Sequence, residues 1–362
     1  MAPTDATVQI SSVTYQELAD IEADFDDLNT ELLIQQSISE RSLYERRAGL
    51  LRKIAGFWPL ALEQAPPEID QYIQPGDAAV LGNFLEDIEV TRFEVGASDG
   101  SAATKDNSEP RSFAIRFTFA ENDIFEDRVL EKRFWYRHAP VKEAEEAKEA
   151  EEGDKKTKKK KQAEAAESWS GIVSEPVAIK WKKDKDQTGG LLDLAVKVYQ
   201  EGEKSDSVAA LTEELSKTAM GGISFFAWFG YVGRRISAEE SKAAAALKRE
   251  QRAERAAKRA KGEKEEAEEE DEDDEDEDDA IEIDDDSYEY EIFPDGDIVA
   301  LAFAEDLWPN AIKYFRQAQE EETLSDLEFE DMDEDEDEDE DEDDDEDDEG
   351  GNDAPPSKKQ RK

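Results

Sequence analysis

Between Thr14 and Ala48 the chain holds neither proline nor glycine, and apolar residues fall at Leu18, Ile21, Phe25, Leu28 and Leu32. That 3-4-3-4 spacing lays one stripe along one side of a helix, the pattern of a heptad seam. The seam blurs at Gln35 and Ser39 and resumes through Leu43, Leu50 and Ile54. Thr14-Tyr15-Gln16-Glu17 fits a capping box, in which hydroxyl and carboxylate each meet a backbone N–H at the helix start. Continued to Ala55, the helix would be about 60 Å long. An ordinary amphipathic core helix has the same stripe, but a rod of that length outreaches a small domain. The pattern favours a dimerisation helix over residues 14–58, after a flexible stretch at 1–13.

Gly56 and Pro59 in "GFWPLAL" (56–62) end that helix, with Phe57 and Trp58 as anchors. Strand patterns follow. Residues 84–95 are rich in β-formers with partial alternation, and Phe113, Ile115, Phe117 and Phe119 alternate cleanly with Ala114, Arg116 and Thr118. Such alternation marks a sheet with one buried face. The Gly/Ser/Asp/Asn loop at 96–110 predicts an antiparallel hairpin between these two, and Val129–Arg137 and Val177–Trp181 read as the next strands. Leu191–Tyr199 and Val208–Met220 are helix candidates, and "ISFFAWFGYVG" (223–233), the most apolar stretch, must be buried or bind something. Ile298 to Phe303 begins a helix interrupted at Pro309, and Asn310–Gln319 adds another turn or two.

Polar segments interrupt this order. Residues 141–168, almost purely Lys/Glu/Ala and containing "KKTKKKK" (155–161), read as a solvated insert. Residues 234–286 read as a second polar excursion: 238–261 have strong helix propensity and net positive charge, and are expected as a solvated helix. The expected folded part is therefore 59–325 with two polar inserts, ahead of an acidic, disordered tail at 326–362.

Charge sharpens the picture. The 362-residue chain carries −53, of which 39 charges lie in two runs, 18 acids in 265–286 and 21 in 326–349, leaving −14 elsewhere. Between the runs sits "EDLWPNAIKYF" (305–315), whose Leu307, Trp308, Ile312, Tyr314 and Phe315 follow packable sequence and read as a core element. A field this acidic repels nucleic acid and membrane surfaces and steers basic partners inward, and the most abundant strongly basic proteins of a eukaryotic cell are histones, followed by ribosomal proteins. Cysteine is absent, which removes disulfides and thiolate chemistry. There is no run of about 18 apolar residues and no signal-peptide core, so a soluble intracellular protein is expected.

Candidate catalytic chemistry is missing. With His138 as the one histidine, no His-based triad, zinc site or facial triad can form. No phosphate-binding loop or dinucleotide fingerprint occurs, and the acid runs lack the glycine and spacing of an EF-hand. No enzyme activity, metal or cofactor is expected. In "PPSKKQRK", Lys358, Lys359, Arg361 and Lys362 follow a flexible spacer, which reads as a nuclear localisation signal recognised by an import receptor. The alternative is a merely solubilising end, and "KKTKKKK" is a second candidate signal. Thr323 and Ser325 precede acids and suit an acidophilic kinase, a weak match in so acidic a chain.

Six stretches in order resemble the nucleosome assembly protein family, in particular the branch that includes the template-activating factor SET and its fungal relatives. They are "LLRKIAGFWPLAL" (50–62), "FLEDIEVTRFEV" (84–95), "FAIRFTFAENDIFEDRVLEKRF" (113–134), "AIKWKKDKD" (178–186), "SFFAWF" (224–229) and "EDLWPNAIKYF" (305–315). The resemblance implies an α+β fold: a long N-terminal dimerisation helix, then an earmuff domain with a four-stranded antiparallel sheet and flanking helices. It also implies chaperoning of core histones without ATP or catalysis, by a homodimer that the basic end places in the nucleus, with shuttling to the cytoplasm left open. The 187–222 helices and the 234–286 excursion depart from the family pattern.

On that resemblance, histone-binding acids are expected at Glu121 and Asp123, at Asp284, Asp285, Asp286, Asp295 and Asp297, and at Glu305, Asp306, Glu320, Glu321 and Glu322. The dimer interface is expected at Leu18, Ile21, Phe25, Leu28, Leu32, Leu43 and Leu50. The runner-up function is a scaffold subunit for a chromatin enzyme, a histone acetyltransferase or a phosphatase. A low-affinity calcium buffer comes third, since a buffer needs neither an aromatic core nor a nuclear signal.

Overall fold

The computed structural model describes residues 15–96, 109–139, 169–202, 206–218, 222–260, 290–321 and 323. Outside them lie the Thr14 cap, the 141–168 insert, Asp284, Asp285 and Asp286, Glu322 and Ser325. The 326–349 acids and the terminal Lys358, Lys359, Arg361 and Lys362 lie outside them too.

Helix α1 runs Tyr15–Leu51, about 55 Å at 1.5 Å per residue. It stops short of Ala55 because the chain tightens, with Lys53 N–H donating to Leu50 O and Ile54 N–H to Leu51 O. Gly56 then takes φ +71°, a left-handed turn that glycine adopts without strain, and α2 (Phe57–Glu63) starts. Phe57 and Trp58 thus belong to the domain, not to the rod. Asp87 fixes the junction, accepting from Trp58 Nε1 and from Arg52 Nε, each at 2.9 Å.

The second half of α1 is docked on its own domain. Arg41 donates to the Val95 and Gly96 carbonyls, the Tyr44 ring sits 4.1 Å from that of Trp308, and Arg47 donates to Pro309 O at 3.1 Å. At 3.6 residues per turn Arg41 lies opposite Leu32, Leu43 and Leu50, Tyr44 lies to one side of them, and Arg47 borders the seam. The seven seam residues remain 50–61% exposed along the rod.

Four strands, β1 (Leu85–Thr91), β2 (Phe113–Phe119), β3 (Val129–His138) and β4 (Ser170–Ser174), form one antiparallel sheet in sequence order. The fourth strand is not at 177–181. Pro176 has no N–H to give a ladder, and Val177–Trp181 runs instead beside the buried aromatic segment. There Val177 N–H donates to Phe229 O, and a single bridge joins Phe125 to Trp181. Strand β1 ends at Thr91 because Arg92–Val95 forms a turn.

The apolar stretch becomes a 3₁₀ turn, Phe225–Gly230, buried at every residue. Asp77, in α4 (Pro75–Phe84), which follows the short α3 (Pro67–Asp70), accepts the Ser224 hydroxyl at 2.6 Å and the Phe225 N–H at 2.7 Å and so anchors its start. Phe117 of the sheet meets Phe225, Trp228, Phe229 and Phe303 within 5.4–6.1 Å, mostly edge to face, the favoured aromatic geometry. Phe303 comes from Ala302–Leu307, a π-helical turn that follows the helix Gly296–Leu301. Leu307 and Tyr314 are buried and Phe315 stacks on Phe57 at 4.7 Å, so the aromatic island between the acid runs is a core element, with Ile312 left half exposed. Leu191–Glu201 (α5) buries Leu191, Leu192, Ala195 and Val198, paired with Asp206–Thr218 (α6).

Lys132 is wholly buried. Lys132 Nζ donates to the carbonyls of Glu175, Phe229 and Tyr231 at 2.8–3.0 Å, while Glu291 accepts from the Val232, Gly233 and Phe293 amides. Burial pulls the Lys132 ammonium down to about 7 and pushes the Glu291 carboxyl up, and each group opposes the other's shift. Lys132→Met would take the Lys132 donor away from three carbonyls. An unsatisfied buried acceptor costs about 1–3 kcal/mol, so the substitution should lower the unfolding free energy by about 3 kcal/mol or more in denaturant titrations. A loss under about 1 kcal/mol, the net value of one ordinary hydrogen bond, would refute this role.

Candidate functional site

The expected acids fall into two sets on separate elements. The first lies on the loop from β2 to β3, shaped by Asn122, whose Oδ1 accepts the Ile124 and Phe125 amides at 2.9 Å. Glu121 and Asp123 are exposed there, and Glu121 lines a shallow cleft of about 280 Å³ together with Phe125, Glu126, Asp127 and Arg128. Lysines answer these acids: Lys185 pairs with Asp123 and Lys180 with Asp127, both at 3.3 Å, and Lys182 donates to Asn122 O at 2.6 Å.

The second set follows α8 (Gly296–Leu301) to the chain's last described helix. Asp295 accepts the Tyr72 hydroxyl at 2.5 Å and Asp306 accepts that of Tyr314 at 2.9 Å. Burial, with these carboxylates beside them, pushes both phenols up to about 12. Asp297, in the first turn of that helix, accepts the Ile298 amide at 2.9 Å, and Glu305 lies 3.9 Å from Arg92. Glu320 pairs with Arg316 at 3.6 Å, and Glu321 accepts from Gln64 Nε2 at 2.6 Å. Asp295 and Asp306 are therefore struts as well as charges. Asp295, Glu305, Glu320 and Glu321 are the exposed members of this set among the described residues.

Sequence reading missed other acids. Asp20, Asp24 and Asp27 on α1 meet Arg252 and Arg255 of α7 (Ala238–Ala260), and Asp26 pairs with Arg111 at 3.1 Å. Their signal was present as 4-3 spacing on both helices, Asp20-Asp24-Asp27 and Lys248-Arg252-Arg255. The helix expected to be solvated is in fact packed on the sheet, with Ala244 buried. Among the described residues there is no group of three or more metal-ligating side chains, and no helix is long and apolar enough to cross a membrane. His138 lies 2.8 Å from the Ser170 hydroxyl, with its ring held below the usual imidazole range by burial and by Arg111 nearby.

The nucleosome assembly protein family model matches residues 14–318. The chain belongs to that family. A Schizosaccharomyces pombe protein assigned as a nucleosome assembly protein is 34% identical over 113 residues, which span 31% of this chain and 41% of that relative. Among solved structures, Ccp1 is 23% identical over 84% of this chain and 95% of its own, with a TM-score of 0.46. Vps75 is 17% identical over 84% and 98%, with a TM-score of 0.45. The nucleosome assembly protein match takes in α1, the sheet and the acids from Glu121 to Asp306, and ends before Glu320.

Proposed function

We propose that this nucleosome assembly protein is a histone chaperone that binds core histones through the acids of its domain and its tail, without ATP. The observation that carries the reading is the family match over 14–318, on a chain whose 98 acids face 45 lysines and arginines. Histone tails and DNA-facing arginines collapse onto DNA by counterion release. A polyanionic surface competes for the same groups and, because exposed pairs contribute only about 0–1 kcal/mol each, lets go again. Many contacts are then needed, and a dimer presenting two faces multiplies them. Glu121 and Asp123, Asp284 to Asp286, and the set from Asp295 to Glu322 are the proposed contact acids, with Lys185 as an internal competitor for Asp123. None of this requires a cofactor or a catalytic residue.

Deposition of core histones onto relaxed plasmid, read as supercoils per plasmid, tests the proposal. Supercoiling should rise with added protein and be indifferent to ATP. No deposition at any ratio would overturn it, and would favour the scaffold reading if the chain still bound a chromatin acetyltransferase or phosphatase.

Nuclear residence is proposed to depend on the basic end. Deleting 355–362 should move a fluorescent fusion from nucleus to cytoplasm. An unchanged distribution, also after neutralising "KKTKKKK", would assign import to another route.

A further inference from the structure

Helix α7 begins on the sheet and ends on the rod. Near its start Ser241 Oγ accepts the His138 amide at 2.9 Å, and Ala244 is buried where α7 packs on β3. About two turns further on, Arg252 donates to Asp24 and, at 2.8 Å, to Asp27, and Arg255 reaches Asp20 at 3.4 Å. Rising numbers on α7 meet falling numbers on α1, so the two helices run antiparallel. The 4-3 spacing of both sets keeps them in register over two turns.

These contacts hold the first half of α1, to which the domain also reaches through Arg111. Arg41, Tyr44, Arg47 and Arg52 fasten the second half, and Arg111 reaches Asp26 at 3.1 Å. The acids lie on a different stripe from Leu18, Ile21, Phe25 and Leu28, which stay exposed beside them. Asp24 and Asp27 are more than 70% exposed, whereas Asp20 is 17% exposed, so most of the contact is open to mobile ions.

We propose that α7 is a charge latch that clasps the first half of α1 to its own domain and is opened by salt or by a competing polycation. Closed, it fixes the direction in which the rod leaves the domain. Open, it frees both α7 and three aspartates of α1. The device stands on intrachain geometry alone and holds whether or not the chaperone reading does.

Hydrogen exchange on the full-length protein tests it. Arg252→Glu/Arg255→Glu should speed amide exchange several-fold in both 18–30 and 248–257, and leave β2 and β3 as in wild type. Adding Asp20→Arg/Asp24→Arg/Asp27→Arg should slow both segments again, because the swapped charges rebuild the latch. Wild-type protein moved from low salt to about 0.5 M, where the screening length falls below that at physiological strength, should mimic the first variant. Light scattering on the same samples separates latch opening from any change in association. Unchanged exchange in the reversed variant, or faster exchange that the swap fails to reverse, overturns the latch.

Discussion

Light scattering on the purified protein should give about twice the 40.8 kDa chain mass, and charged residues at Leu18, Phe25 and Leu32 should convert it to monomers. The reason is the division of α1 into two faces. One face is spent on the chain's own domain, through Arg41, Tyr44, Arg47 and the buried Leu51. The other presents Leu18, Ile21, Phe25, Leu28, Leu32, Leu43 and Leu50 at 50–61% exposure among the described residues. Fully burying one such side chain stabilises by about 1.5–3 kcal/mol, so half-covered seams on two helices still supply many kcal/mol to an association. Three charges placed on each seam, six in the pair, remove that gain and add desolvation. Monomers should result without loss of the domain, since none of the three side chains enters its core. Wild-type protein that is monomeric at micromolar concentration would sink the assignment.

What the sequence made legible follows from periodicity. Strand β2 was readable to the residue because Phe113, Ile115, Phe117 and Phe119 alternate against a half-wet face, and β3 to within one. Strand β4 was not, because Ser170–Ser174 is short and polar while the more β-prone 177–181 lies beyond Pro176. The aromatic run at 223–233 announced burial but not its 3₁₀ form, which depends on Asp77 far away in sequence. Helix α7 was legible as a helix and misread as solvated, since alanines that pack and alanines that merely propagate a helix look the same. For the acids, composition announced the class of partner but not availability. Asp123 meets Lys185, and Asp295 and Asp306 hold tyrosine hydroxyls, all pairings between residues distant in the chain or hidden by the fold.

That distinction decides how the tail and the domain should divide the work. Truncation at Ser325 removes the 21 acids of 326–349 together with the basic end. Histone binding should weaken several-fold at low salt, because a dense polyanion accelerates encounter by long-range attraction. The effect should shrink as the screening length falls from about 8 Å at physiological strength towards about 3 Å at 1 M. Charge reversal at Asp297, Glu305 and Glu320 should behave differently. These side chains sit on packed helices and hold fixed positions, so a partner's basic groups meet a set arrangement whose short-range contacts survive screening better. Asp295 and Asp306 are left intact in this variant because reversing them would also free Tyr72 and Tyr314. Titration of both variants with core histones, from low salt to about 0.5 M, should give a tail defect that fades and a domain defect that persists. A tail-less protein that loses all binding would make the polyacid the sole binder and remove the domain face from the mechanism.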